Sequence, residues 1–415
     1  MSSLISLLRK TNFRNLWFGQ ITSQIAVNML AFVLILEIYQ ATRSNTAVSA
    51  LSLAIGLPAI FVGILAGGIV DSVDKRLVLL WCNFLRIIIF ALFLVFFSLP
   101  LLIIYILAGF FSIVTQFFIP AEAPSIPSFV RNDELLLANS LFSFGLYGAT
   151  IFGFIISGPL LISFGPNIVY GLMIILMSLA FLFAYGLPPI RPRGMPKLSL
   201  SLSVFSSDLK EGMAFIFGNV RVGQSLLLMT FSQGLLATLA VLAPGFADAT
   251  LKIPLTDVSL VVMGPAALGL VTGALWVGTT GKQYLKRILI LIGILATGVT
   301  LLMLSFLVRA ANGGGDGIEI AMLLLFILGF TNALISVPSS AVLQEATEGR
   351  LRGRVYGVLT SLTGGAAILP VMFSGIMADL FGITRTLLIL GLGVLVFGVY
   401  RLLILNQTMR NARIG

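Results

Sequence analysis

Long apolar runs separated by short polar turns make up most of this chain. Twelve runs of about 20 residues or more follow one another along the 415 residues. They lie near residues 16–39, 48–70, 77–98, 101–119, 136–163, 167–187, 222–246, 258–279, 288–308, 318–337, 355–380 and 384–405. A run of this length crosses a bilayer as an α-helix, which satisfies its backbone polar groups internally. The sequence therefore predicts an all-α membrane protein with twelve transmembrane helices.

The composition agrees with this architecture and excludes several functional classes. Hydrophobic residues make up 58% of the chain and charged residues 10%, whereas a soluble domain is about half apolar and about a quarter charged. The absence of histidine excludes imidazole metal ligands and Ser-His triads, and the single cysteine, Cys82, excludes an internal disulfide. We expect Cys82 to be a small buried apolar residue. No catalytic constellation or phosphate-binding loop is recognisable, so we expect no enzyme, cofactor or metal.

The charge distribution predicts the orientation in the membrane. A net charge of +10 would suggest nucleic-acid binding in a soluble protein, but in a membrane protein basic residues collect in cytoplasmic loops. If the N-terminus is placed inside, 20 Lys and Arg residues fall in inner segments and 4 in outer segments. This asymmetry predicts that both termini are cytoplasmic and that nucleic acid is not a partner.

A polar segment with several prolines divides the chain near its middle. Residues 188–220 are predicted to be a cytoplasmic linker, in which an amphipathic helix at 208–218 lies along the membrane surface. The flanking regions, 1–187 and 221–415, hold six predicted helices each. In both, a proline ends the fourth helix, a charged turn follows, and the next helix ends in Phe-Gly. The sequence thus predicts two pseudo-symmetric six-helix halves, the plan of many secondary transporters.

The loop between the second and third helices carries a family signature. It reads GGIVDSVDKR and resembles the Gly-x-x-x-Asp-Arg-x-Gly-Arg-Arg motif of the major facilitator superfamily. The matching residues are Gly67, Asp71, Lys75 and Arg76, while Ser72 and Asp74 depart from the motif. The segments NFRNLWFGQ, ANSL, DLKEG and LRGRV extend the resemblance along the whole chain, and they resemble bacterial exporters of the drug, macrolide and siderophore efflux type. The resemblance implies a monomeric transporter of small molecules in the plasma (inner) membrane of a prokaryote.

The resemblance also implies a gate at this loop. In the superfamily, the loop aspartate contacts the other half and holds the cytoplasmic gate shut. Arg352 and Arg354 begin the eleventh helix, where their positive charge opposes the helix dipole and a nearby acid would relieve it. We therefore predict a gating set of Gly67, Asp71, Lys75, Arg76, Arg352 and Arg354. An ordinary solvated loop is the alternative.

Polar side chains within the apolar runs are candidates for a substrate cavity. Gln20, Gln24 and Asn28 recur at every fourth residue and share one face of the first helix, which should point into the bundle. The superfamily lines its cavity with the first, fourth, seventh and tenth helices. Those helices add Gln116, Thr230, Gln233, Asn332 and Ser336. Hydrogen bonds that only hold the helices together are an equal alternative for these residues.

Three ionisable residues within the predicted spans are candidates for proton coupling, because intramembrane charges are costly and often functional. They are Glu37, Glu122 and Arg86. Glu37 lies in the outer third of the first helix and is alternatively a peripheral partner of Arg43. Arg86 lies near the bilayer middle and is alternatively a structural strut.

The sequence favours a secondary transporter that exports a lipophilic small molecule by rocking two halves around a cavity, with protons as the candidate coupling ion. Two alternatives stay open: an uptake permease for a nutrient or metabolite, and a non-transporting receptor on the same fold. The sequence names neither the substrate nor the coupling ion.

Overall fold

The fold is helical throughout the part of the chain that the computed structural model describes. This part comprises residues 6–95, 100–191, 218–310, 315–346 and 368–414. The helices are α1 (Thr11–Thr42), α2 (Asn45–Ser72), α3 (Lys75–Val95), α4 (Leu101–Glu122), α5 (Leu135–Tyr185), α6 (Val220–Phe246), α7 (Gly264–Thr279), α8 (Lys286–Ala310), α9 (Gly315–Ala346), α10 (Ile368–Phe381) and α11 (Ile383–Ile414). Short 3-10 or π-helical turns occupy Ala123–Ser128, Asn132–Glu134, Ala247–Leu251, Leu255–Asp257, Ser259–Met263 and Gly281–Gln283.

These helices account for the twelve predicted spans. Ten segments of the described chain are long and apolar enough to cross a membrane. One of them, Leu137–Tyr185, has 49 residues and contains a break at Gly165, whose φ is +73°. Glycine adopts this left-handed backbone without steric cost, so α5 comprises the fifth and sixth spans, and the predicted turn at residues 165–166 is confirmed. The shorter α10 corresponds to the eleventh span and completes the twelve-helix membrane fold.

Polar side chains define where several helices begin. Asn219 precedes α6, and its side-chain oxygen accepts hydrogen bonds from the backbone N–H of Arg221 at 3.1 Å and of Val222 at 3.3 Å. Asp74 precedes α3 and accepts from Arg76 N at 3.0 Å. Such caps satisfy N–H groups that have no partner within the helix. The caps stabilise helix starts that lie a few residues before the corresponding apolar runs of the sequence.

Large apolar side chains cover much of the outer surface of the helices. Phe61, Val95, Phe144 and Leu369 are each at least 70% exposed. Soluble monomers rarely expose contiguous apolar surface of this extent. Apolar exposure of this extent is typical of helices that contact lipid.

The chain packs as two compact units. Unit 1 comprises Met1–Ile38 and Ala50–Asp208, and unit 2 comprises Tyr39–Ser49 and Leu209–Gly415. The chain therefore passes from one unit to the other three times. The segment that joins α1 to α2 belongs to unit 2, although α1 and α2 otherwise belong to unit 1.

Unit 1 has a core at the end that carries the start of α1, which is the predicted cytoplasmic end. Phe13, Leu79, Cys82, Phe118 and Ala121 are among its buried members, and the expected burial of Cys82 is confirmed. The start of α1 is also tied to the start of α5. Lys10 donates a hydrogen bond to the Glu134 carboxylate, which also accepts from the backbone N–H of Arg131 at 2.8 Å. These bonds hold the pKa of Glu134 below its ordinary value.

Unit 2 is held together by unusually close helix contacts. A Cβ added at Gly269 of α7 would lie 1.9 Å from the carbonyl oxygen of Phe326 in α9. Conversely, a Cβ at Gly329 of α9 would lie 1.9 Å from the carbonyl oxygen of Ala266 in α7. In membranes, such small residues let two helix backbones approach and gain van der Waals contact.

Some of the predicted residues lie outside the part of the chain that the structure describes. They are Arg352, Arg354, the side chain of Asp71, and residues 208–217 of the predicted amphipathic helix. The gating role of these residues and the domain bounds 1–187, 188–220 and 221–415 stay predictions.

Candidate functional site

A carboxyl group near the C-terminal end of α1 is bonded to a single described partner. The Tyr170 hydroxyl of α5 donates a hydrogen bond to Glu37 Oε2 at 2.8 Å. The other oxygen, Oε1, is buried and has no hydrogen-bond partner among the described residues. Tyr170 is itself 1% exposed, and its ring stacks on Phe93 of α3 at a centroid distance of 5.9 Å. The pair is thus a carboxyl group held by a rigid neutral donor in unit 1.

This environment favours the neutral form of the carboxyl group. A charge removed from water is costly unless a counter-charge or several hydrogen bonds replace the water. Glu37 has one hydrogen bond from a neutral hydroxyl, and a proton on the unpartnered Oε1 would remove the charge. Glu37 is therefore an acid whose charge is compensated by one neutral hydrogen bond among the described residues.

Arg86 and Glu122 have a different arrangement from Glu37. The Arg86 side chain is 1% exposed, and one guanidinium nitrogen donates to Thr115 Oγ1 at 3.1 Å. Its guanidinium carbon lies 4.2 Å from the centre of the Phe118 ring, a cation–π distance. The buried Glu122 carboxyl lies within electrostatic range of this guanidinium. The nearby positive charge stabilises the ionised form of Glu122, whereas burial favours its neutral form.

The polar face of α1 packs against α5. Asn28 donates to the carbonyl oxygen of Gln24 at 2.7 Å and to Thr150 Oγ1 at 3.4 Å. Gln20 is 4% exposed, and its buried side-chain oxygen has no described partner. These contacts match the interhelical alternative for Asn28. They leave Gln20 with a hydrogen-bond acceptor that a ligand or water could use.

The remaining predicted cavity residues differ in burial and in hydrogen bonding. Asn332 is fully buried and pairs with Ser232, which donates to its side-chain oxygen at 2.9 Å. The Thr230 hydroxyl is buried without a described partner. Gln233 is exposed, Ser336 is half-buried, and the Gln116 side chain lies beside Gly63 of α2. Among these five residues, Asn332 is the one that is both fully buried and hydrogen-bonded to a described partner.

The loop that carries the family motif is anchored within unit 1. Arg76 donates to the carbonyl oxygen of Tyr185 at 2.7 Å, and its guanidinium lies over the Tyr185 ring at 5.5 Å. Asp74 accepts a second hydrogen bond from the backbone N–H of Ile190 at 2.9 Å. Lys75 N donates to the carbonyl oxygen of Ile190 at 3.1 Å. The loop is therefore fixed to the end of α5.

Sequence patterns identified some of these residues and missed others. Asp74 departs from the family motif, and its place before Lys75 and Arg76 is an ordinary helix-cap signal. Nothing in the sequence singles out Tyr170, which lies near the start of the sixth apolar run and 133 positions from Glu37. The pairing of these two residues depends on the packing of α5 against α1.

The family model of the Major Facilitator Superfamily matches residues 16–246 and 225–413. The multidrug efflux pump Tap of Mycolicibacterium fortuitum is 27% identical over 207 residues, which cover 50% of this chain and 48% of Tap. The match thus spans about half the length of that relative. The enterobactin exporter EntS of Shigella boydii serotype 18 is 25% identical over 417 residues, which cover 96% of this chain and 92% of EntS.

Solved structures share the fold at lower identity. The nucleoside transporter NupG superposes with a TM-score of 0.74 at 14% identity, covering 95% of this chain and 99% of NupG. The helical architecture and the family match along nearly all of the sequence agree with each other. The chain therefore belongs to the Major Facilitator Superfamily of membrane transporters.

Proposed function

We propose that this transporter exports lipophilic small molecules by alternating access and that proton entry drives the export. The observation that carries the proposal is the Glu37–Tyr170 pair, a carboxyl group in an apolar helix with one neutral donor. The chain has no phosphate-binding loop, so a gradient is the available source of energy.

The pair supports a protonation cycle. Glu37 binds a proton when its carboxyl group is enclosed, because the charged form is costly there. When the helices around it move and water enters, ionisation becomes favourable and the proton leaves. Because the hydrogen bond from Tyr170 can persist through both steps, the carboxyl group keeps its position while its charge changes.

Similarity to exporters supports the direction of transport. Tap is named a multidrug efflux pump and EntS an enterobactin exporter, and the match to EntS covers nearly all of this chain. An identity of 25% to 27% supports a shared mode of transport more than a shared substrate. The substrate class we propose is therefore broad: a lipophilic molecule that enters a cavity lined by apolar side chains and a few polar groups.

The polar face of α1 is the proposed point of contact with the substrate. Gln20 supplies a side-chain oxygen that has no hydrogen-bond partner among the described residues. A few such groups in an apolar cavity orient a ligand without requiring a fixed chemical structure. This arrangement suits export of varied lipophilic compounds better than uptake of one polar nutrient.

The experiment uses purified protein in proteoliposomes with ethidium as the fluorescent probe. We expect an imposed pH gradient to drive ethidium movement in exchange for protons, and collapse of the gradient with an ionophore to stop it. Substrate accumulation in the direction of uptake would favour the permease alternative. Binding of ethidium without flux would favour the receptor alternative.

A further inference from the structure

The segment that joins α1 to α2 is attached to helices of the second half of the chain. We call Tyr39–Ser49 the outer segment, since it lies on the predicted outer face. It belongs to unit 2, whereas the residues on both sides of it belong to unit 1. Because the rest of α1 and α2 belongs to unit 1, a shift of these helices must either bend them at the ends of the outer segment or release the segment from its contacts in unit 2.

Asp379 near the end of α10 holds the start of α2. Its carboxylate accepts from the Ser44 hydroxyl at 2.6 Å, from the Asn45 backbone N–H at 2.8 Å, from the Asn45 side-chain amide at 3.0 Å and from the Thr46 backbone N–H at 2.9 Å. Two of these donors are N–H groups of the first turn of α2, which have no partner within the helix. A carboxylate at a helix N-terminus also interacts favourably with the helix dipole. Asp379 thus caps a helix that lies more than 300 positions earlier in the chain.

The backbones of α10 and α2 meet closely beside this cap. Ser49 donates to the carbonyl oxygen of Val371 at 3.2 Å. A Cβ added at Gly375 would lie 1.9 Å from the Ser49 hydroxyl oxygen and 2.7 Å from the carbonyl oxygen of Asn45. This contact therefore requires glycine at position 375. The cap and the glycine contact lie within one turn of α10, so they form and separate together.

A second attachment lies on the same segment. Arg43 forms an ion pair with Asp248 at 2.8 Å, and the Tyr39 hydroxyl donates to the same carboxylate oxygen at 3.3 Å. The Arg43 side chain is 61% exposed, and exposed ion pairs contribute little to stability. The attachment through Asp379, with four hydrogen bonds to one carboxylate, is the stronger of the two.

We propose that Asp379 is a releasable latch that holds the outer segment when the outer side of the transporter is closed. The inference rests on the alternating-access mechanism proposed above. Opening to the outside moves the start of α2 away from α10, and this breaks the four hydrogen bonds to Asp379. The carboxylate is exposed, so water replaces these bonds on release and no buried charge is left without a partner. Asp379 is a positioning residue, because it acts through α2 and not on the substrate.

The test compares how readily a cysteine on α1 is labelled from each side of the membrane. Gln24→Cys in a Cys82→Ala background is the reporter, labelled with a membrane-impermeant maleimide in intact cells and in inside-out vesicles. We expect Asp379→Asn to raise the ratio of outside to inside labelling about five- to tenfold, because the closed state loses a charge-assisted cap. Asp379→Glu, which keeps the charge, should restore part of the original ratio.

The matched control is Glu319→Gln. Glu319 is an exposed acid near the start of α9, on the same predicted face, and no described side chain bonds to it. A purely structural cap would lower thermal stability and leave the labelling ratio unchanged. An Asp379→Asn ratio equal to that of Glu319→Gln would overturn the latch.

A covalent lock provides the reciprocal test and does not depend on the folding of the Asn variant. Ser44→Cys combined with Asp379→Cys places two thiols where the serine hydroxyl and the carboxylate meet. We expect oxidation to stop both ethidium transport and outside labelling, and reduction to restore them. If the cross-linked protein transports ethidium as fast as the protein with reduced thiols, the latch is contradicted. If the protein with reduced thiols transports no ethidium, the proposed export function is contradicted. The ratio of outside to inside labelling still decides whether the latch exists.

Discussion

Glu37 and Glu122 show how one residue type acquires different properties from its neighbours. Both acids lie in apolar helices, but Glu122 lies within electrostatic range of the buried Arg86 guanidinium, and Glu37 has a tyrosine hydroxyl. A positive neighbour stabilises a carboxylate, whereas a neutral donor compensates only part of the lost hydration. We therefore predict that Glu37 changes its protonation state during transport and that Glu122 balances the charge of Arg86.

Glu37→Gln tests this assignment. Glutamine keeps an oxygen that can accept the hydrogen bond from Tyr170, but it cannot ionise. We expect gradient-driven ethidium transport to fall about tenfold or more, while exchange of ethidium at equal pH on both sides continues, because only the proton-linked step is removed. The assay is proteoliposome flux with and without a pH gradient.

Glu122→Gln is the comparison variant. It removes an acid of the same type from another helix end, and we expect it to lower stability and to leave the gradient dependence of transport in place. Full gradient dependence in Glu37→Gln would show that the coupling site is elsewhere.

At the scale of helices, backbone contacts at glycine residues set the spacing between α7 and α9 in unit 2. Gly269 and Gly329 each lie against a backbone carbonyl of the opposing helix, so α7 and α9 touch at two reciprocal points. Membrane helices gain little from apolar burial, because lipid is as apolar as the interface. Close backbone packing is therefore the main source of stability for this helix pair.

Replacing Gly329 with alanine should separate α7 from α9. The new methyl group would overlap the carbonyl oxygen of Ala266, and overpacking of this kind costs roughly 1–3 kcal/mol of unfolding free energy. Gly393→Ala in α11 is the control, since a Cβ there has no atom within 4 Å. Thermal unfolding in detergent should show a lower midpoint for Gly329→Ala alone. Equal midpoints for both variants would contradict the packing argument.

At the scale of the whole molecule, α2 has the proposed latch at one end and the predicted gate at the other. Its first turn is capped by Asp379, and the predicted gate residue Asp71 lies near its last turn. If the proposed latch and the predicted gate both operate, α2 is held at its outer end in one state and at its cytoplasmic end in the other. Such an arrangement lets each state be stabilised by a separate set of contacts.

Asp71→Asn tests the cytoplasmic end. Loss of the charge removes the predicted compensation for Arg352, Arg354 and the helix dipole of the eleventh span. We expect the population to shift toward the inward-open state, measured as faster labelling of the Gln24→Cys reporter in inside-out vesicles. Asp133→Asn is the control, because Asp133 is an exposed acid that pairs with the nearby Arg131 on the same predicted face. Equal labelling rates in the two variants would count against the gate.

The sequence by itself determined the membrane architecture. Twelve apolar runs specify twelve helices, because a helix is the structure that satisfies an isolated backbone in lipid. The turn at Gly165–Pro166 was also readable, since it depends on local backbone chemistry. The match of residues 67–76 to a known motif pointed to the superfamily before any contact was known.

Tertiary structure alone decided which polar residues are partners. Tyr170 bonds to Glu37 across 133 positions, and Asp379 bonds to Asn45 across 334. Periodicity assigns a residue to a helix face, but it does not specify which helix that face meets. The roles proposed for Glu37, Glu122 and Asp379 therefore depend on packing, because each requires a short distance between side chains that are remote in sequence.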